Sequence, residues 1–177
     1  MNDSATTPSP ATDKPSFVAL LRPVLARVAA LDPESRSSAQ AQAELERLLG
    51  EDFPADGPLA QAIGATIEAG VAAGWLCDRG SSDARFSRIA KPCEETHGLS
   101  IDVVRLAGAS LRHGHPKGEV TLAFVVEGTP RFCGREPGWI FAGPGSVHVP
   151  EVNAGRMNLI YFLPEGSADW DPKPLAS

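Results

Sequence analysis

Cysteine is scarce and unpatterned in this chain: Cys77, Cys93 and Cys133 are the only three, and no two of them form a CxxC pair. A disulfide framework and a zinc ribbon are thereby excluded, and reduced thiols are expected. Clustered positive charge is also missing. The formal net charge is −6 and no Lys/Arg block occurs, so the chain lacks the concentrated cations that grip a nucleic-acid backbone. There is no run of about 18 apolar residues to cross a membrane. The opening MNDSATTPSPATDKPS has neither the cationic start nor the apolar stretch of a secretory signal. These absences predict a cytoplasmic protein with no nucleic-acid and no membrane partner. What the chain has in quantity is glycine and proline, 17 and 16 residues, which favours turns and short strands.

The length suits one domain with additions. Residues 1–16, rich in Ser, Thr, Pro, Ala and Asp, offer too little apolar surface to offset ordering entropy, and predict a disordered tail. Phe17, Leu20, Leu21, Val24, Leu25, Val28 and Leu31 then recur at three and four residues, the stripe of an amphipathic helix. Ser16 is its expected N-cap, with Pro23 a kink or a first-turn residue. A second helix is predicted over Ala39–Leu49, stopping at Gly50, and a third from Asp56-Gly57-Pro58 to Gly74. Residues 17–80 therefore read as a helical N-terminal region. Over 81–170 helical periodicity vanishes, and strands are predicted at Arg85–Lys91, Leu99–Leu106, Val120–Val126, Gly138–Ala142, Val147–Val149 and Met157–Leu163. The fold class is mainly β with a helical lead-in, the strands forming a barrel or double-sheet jelly roll.

The chain has only four histidines, and two of them, His113 and His115 in LRHGHPKGE, sit two residues apart. On a strand that spacing sends both imidazoles to one face. Glu119 follows a turn containing Pro116 and Gly118, and His148 lies in the glycine-turn segment GPGSVHVP. Three imidazoles and one carboxylate suit one divalent transition metal ion such as Fe, Mn or Zn rather than calcium or magnesium. His97, with no spaced partner, is left out of the site. Arg88, Arg105 and Arg112 lie on or beside predicted strands and are candidates to hold a substrate carboxylate by a bidentate pair. Trp139 and Tyr161 are candidate walls of an aromatic pocket, with ordinary core packing as the competing role.

These residues resemble the two motifs of the cupin superfamily. The first reads Gly108, His113, His115, Glu119 and Gly128, and the second Gly138, Pro144, Gly145, His148 and Asn153. The resemblance implies a cupin-type β-barrel, a double-stranded β-helix, from about Ile89 to Pro164, with the metal on His113, His115, Glu119 and His148. The spacings differ by one or two residues from the usual motif, which leaves Glu119 two roles, metal ligand or catalytic base. The whole chain also resembles a small bacterial family that includes 4-hydroxylaminobenzoate lyase. That likeness rests on FVALLRPVLARVAALDP, DGPLAQAI, AGVAAGWLC, AKPCEETHGLSIDVV, RHGHPKGEV and GWIFAGPGSVHVP.

The family resemblance implies a metal-dependent lyase acting on a small aromatic carboxylate. Its reaction turns 4-hydroxylaminobenzoate into 3,4-dihydroxybenzoate (protocatechuate) and ammonia during nitroaromatic degradation. The cupin resemblance further implies a homodimer or higher homo-oligomer. A fold of this kind hosts many chemistries, so two other readings stay open: an Fe(II)-dependent dioxygenase on an aromatic or thiol substrate, and a non-catalytic ligand-binding module.

Overall fold

A computed structural model describes residues 7–172 of the chain. Three helices precede the strands: α1 (Lys14–Ala30), α2 (Ala39–Asp52) and α3 (Pro58–Ala73). Helix α1 starts earlier than its apolar stripe suggests. Asp13, not Ser16, is the N-cap: its Oδ1 accepts the Ser16 N–H at 2.8 Å, while Ser16 Oγ accepts the Asp13 N–H at 3.2 Å. This reciprocal capping box satisfies two of the donors that a helix start leaves free. The expected tail is shortened accordingly. Ala11 is buried, and its N–H is bound to Thr66 Oγ1 on α3, whereas residues 1–6 of that expectation lie outside the described residues. Helix α1 continues through Pro23, and α2 runs two residues past Gly50. Gly74 closes α3 with a left-handed φ of 80°, the conformation that glycine adopts without steric cost.

Eight strands follow: β1 (Arg79–Gly80), β2 (Ala84–Ala90), β3 (Leu99–Ala109), β4 (His113–His115), β5 (Glu119–Phe132), β6 (Gly138–Ala142), β7 (Ser146–His148) and β8 (Glu151–Pro164). Six of them form an antiparallel sheet in the order β1-β2-β3-β8-β5-β6, and β4 pairs with β7 in a second, two-stranded sheet. The large sheet is not closed into a barrel; the arrangement is a jelly roll of two unequal sheets.

Along β8 the large sheet is covered on both faces, which is why every residue from Met157 to Pro164 is buried. One face packs on the helices. Ile101, Val103, Val120, Leu122, Ile160 and Phe162 meet Phe17, Leu21, Leu25, Leu45, Ile63 and Ile67 in one core. The other face carries a smaller core of Leu106, Ala123, Phe132, Ile140, Met157, Leu159, Tyr161 and Leu163. Strand alternation allots neighbours to opposite faces, so Tyr161 and Phe162 belong to different cores. Burial of side chains this size is worth about 1.5–3 kcal/mol each, and the helix-side core holds most of the largest of them.

Candidate metal centre

The small sheet is built by two turns. Gly118 N–H bonds to the His115 carbonyl at 3.2 Å, and Gly145 N–H bonds to the same carbonyl at 2.8 Å, which lays β7 beside β4. Both glycines have positive φ, 83° and 78°. A Cβ at Gly118 would also stand 3.0 Å from the Phe141 ring, so the turn needs a glycine on two counts. In the resulting register His113 faces His148, and His115 faces Ser146.

The ligand nitrogens of His113, His115 and His148 come together, all within 4.8 Å of one another. His115 Nε2 and His148 Nε2 are 3.0 Å apart. Nitrogens bound at about 2.1 Å to a common ion lie roughly 3.0–3.4 Å apart, so this pair already has the separation that shared coordination requires. His113 Nδ1 donates to the Leu111 carbonyl at 2.9 Å, which leaves its Nε2 free as a lone-pair donor. His115 is fully buried, and its Nδ1 has no hydrogen-bond partner among the described residues. Burial, followed by the neighbouring His113 and His148 rings, pulls the His115 imidazole down to about 3. Burial and then His113 pull His148 down to about 4. Both rings are therefore neutral at physiological pH, the form that binds a metal. The donor set fits a divalent transition metal ion.

Glu119 stands outside this group. Its Oε2 is 3.6 Å from His115 Nδ1, the ring nitrogen not facing His148, and its Oε1 is 3.4 Å from the Thr121 hydroxyl. Burial drives its carboxyl up to about 8, opposed by the Thr121 hydrogen bond and reinforced by Asp102.

A cavity of about 540 Å³ opens on the inner face of the large sheet, with His113, Glu119 and Tyr161 in its wall. Arg88 also lines it, its Nε donating to Asp102 Oδ1 at 2.7 Å. The other expected substrate contacts are turned elsewhere. Arg105 is on the helix side, bonded to Asn158 Oδ1 at 2.8 Å and to Glu68 Oε1 at 2.6 Å. Trp139 is core there, its Nε1–H donating to the Phe53 carbonyl at 2.8 Å. Arg112 gives its guanidinium to the Pro172 carbonyl at 2.8 Å. Strand alternation turns Arg105 and Trp139 to the face that the helices cover, away from this cavity. Arg79, Lys91, Phe86 and Trp170 line the cavity without having been expected there. Phe86 was within reach of sequence reasoning, because it shares a face with Arg88 two residues on. Trp170 lies beyond the last strand and carries no periodic signal.

A jelly roll whose small sheet presents three converging imidazoles beside a cavity is a cupin-type protein with a candidate metal centre. Residues 32–170 match the family model PnbB: 4-hydroxylaminobenzoate lyase, and the chain belongs to that family. The 4-hydroxylaminobenzoate lyase of Pseudomonas putida is 32% identical, over 74% of this chain and 85% of the relative. The enzyme of the same name from Nocardioides sp. (strain LMS-CY) is 30% identical, over 75% and 85%. Among solved structures, a cupin-like protein from Thermotoga maritima is similar over 54% of this chain and 85% of its own, at 16% identity and a TM-score of 0.40.

Proposed function

We propose that this protein is a lyase that converts 4-hydroxylaminobenzoate and water into 3,4-dihydroxybenzoate and ammonia, with one divalent transition metal ion held by His113, His115 and His148. The observation that carries the reading is the group of three converging histidines set against a cationic cavity in a member of this family. Arg79, Arg88 and Lys91 line that cavity against the two carboxyl groups of Asp102 and Glu119. The local balance is positive in a chain whose net charge is −6, which favours a small anionic substrate. The volume suits a single-ring molecule.

The reaction is redox-neutral overall. The N–O bond breaks with its electron pair on oxygen, which takes a proton and leaves as water. A second water adds to the adjacent ring carbon as a hydroxyl and gives up its other proton, leaving an imine at the nitrogen-bearing carbon while the hydroxyl-bearing carbon keeps its C–H. A third water hydrolyses that imine to a carbonyl and releases ammonia; the hydroxyl-bearing carbon then loses its C–H proton and the carbonyl oxygen takes one up, which restores the aromatic ring and yields the second hydroxyl, so one water departs and two enter. A bound metal supplies Lewis acidity and lowers the pKa of water. Arg88, held by Asp102, offers its remaining guanidinium N–H groups to the carboxylate. Glu119, buried beside His115 with its carboxyl raised by that burial, moves a proton to the departing hydroxyl oxygen.

The test is incubation of metal-analysed protein with 4-hydroxylaminobenzoate under strict anaerobiosis. Ammonia and 3,4-dihydroxybenzoate are expected in equal amounts. Turnover that appears only after oxygen is admitted would replace the lyase reading with a dioxygenase.

A further inference from the structure

Trp170 is two-thirds exposed, with 66% of its surface open to solvent, although an indole gains more than most side chains from burial. It is nonetheless held firmly. Asp169 N–H donates to the Gly114 carbonyl at 2.9 Å, and Gly114 N–H donates to the Asp169 carbonyl at 2.7 Å, so the C-terminal segment is bridged to the middle of the histidine strand β4. Asp169 Oδ1 accepts the Asp171 N–H at 3.0 Å, and Arg112 clamps the Pro172 carbonyl. This strap sets the indole beside the His113 ring, with centroids 4.9 Å apart and planes at 40°, in the wall of the cavity. Phe86, also exposed, lines the same cavity from β2. The strap thus spends four hydrogen bonds to keep an apolar ring in water, directly against a candidate metal ligand.

We propose that Trp170 is the aryl-stacking residue of the site, the surface on which the ring of an aromatic carboxylate lies while its substituent reaches the histidine group. Arg112, turned to the strap, is a positioning residue that acts through Trp170. The proposal rests on the reading of the cavity as the pocket for an aromatic carboxylate, and the test separates the two.

The experiment titrates full-length protein at fixed, measured metal content with 4-hydroxybenzoate and with cyclohexanecarboxylate, followed by calorimetry and by tryptophan fluorescence. In the parent, 4-hydroxybenzoate is expected to quench fluorescence. Trp170→Ala should lose that quench and bind 4-hydroxybenzoate about tenfold more weakly. Trp170→Phe should restore affinity to within about twofold, and the alicyclic acid should bind all three alike. Arg112→Ala should weaken 4-hydroxybenzoate by a smaller factor while metal content stays that of the parent. Equal affinity of Trp170→Ala and the parent for 4-hydroxybenzoate overturns the stacking role and leaves the proposed function standing. Failure of the parent to bind either 4-hydroxybenzoate or 4-hydroxylaminobenzoate overturns both. A Trp170→Ala variant that changes oligomeric mass without changing affinity overturns the proposal in favour of a subunit contact.

Discussion

Both faces of the six-stranded sheet are apolar, but they are finished differently. The outer face is sealed by three helices, and its polar groups are consumed internally: Arg105, Asn158 and Glu68 satisfy one another, and Trp139 bonds to the Phe53 carbonyl. The inner face is sealed only in part by the two-stranded sheet, and the remainder is the cavity with its cations and exposed aromatic rings. Stability therefore resides on the outer face and chemistry on the inner. Substitutions on the outer face should unfold the protein without touching the site, and those on the inner face should silence the site without unfolding the protein.

The most severe break of that division comes from the histidines. His113→Ala or His148→Ala should lose bound metal and lower turnover by more than about a hundredfold, with the far-ultraviolet dichroism of the parent. Metal analysis and ammonia release check this, and a variant that loses metal yet keeps full activity would falsify the metal's role. On the opposite face Phe162→Ala should cost about 3–5 kcal/mol in urea unfolding, because Phe162 is fully buried beneath the helices. Its metal content per folded molecule should not change. Glu119→Gln sharpens the comparison within the site. It should keep the metal and lower the rate by about a hundredfold, whereas loss of metal would return Glu119 to the ligand set. The smallest pair sets two arginines against each other. Arg88→Met should raise KM for the carboxylate substrate about tenfold with little change in stability. Arg105→Met should leave KM alone and destabilise by about 1–2 kcal/mol.

Much of the fold was legible because its signals are local. The i, i+3, i+4 stripe of α1 and the Pro58 and Gly74 ends of α3 appear in the structure close to where the spacing put them. The HxH pair on one strand, with His148 after a glycine turn, was legible for the same reason: a two-residue period fixes which side chains share a face. The placing of Arg105 and Trp139 on the helix side was not legible, because the period says which residues lie together but not which face they lie on. Met157–Leu163 is a continuous buried run with no polar side to mark the outside. The start of α1 was misplaced because Asp13 and Ser16 are both good caps, and their mutual hydrogen bonds decide the register.

By itself, then, the sequence determined the order of helices and strands, the convergence of HxH toward one side, and the absence of charge clusters, since each follows from neighbours along the chain. The tertiary structure alone decided four things: that the sheet stays open, that Glu119 stands behind His115, that Arg79 and Lys91 share a cavity with His113, and that Trp170 is carried back over the histidine strand. Each depends on pairing between segments far apart in the chain. Register and sidedness there are set by the fit of two apolar faces and a few long-range hydrogen bonds, and no local pattern encodes them.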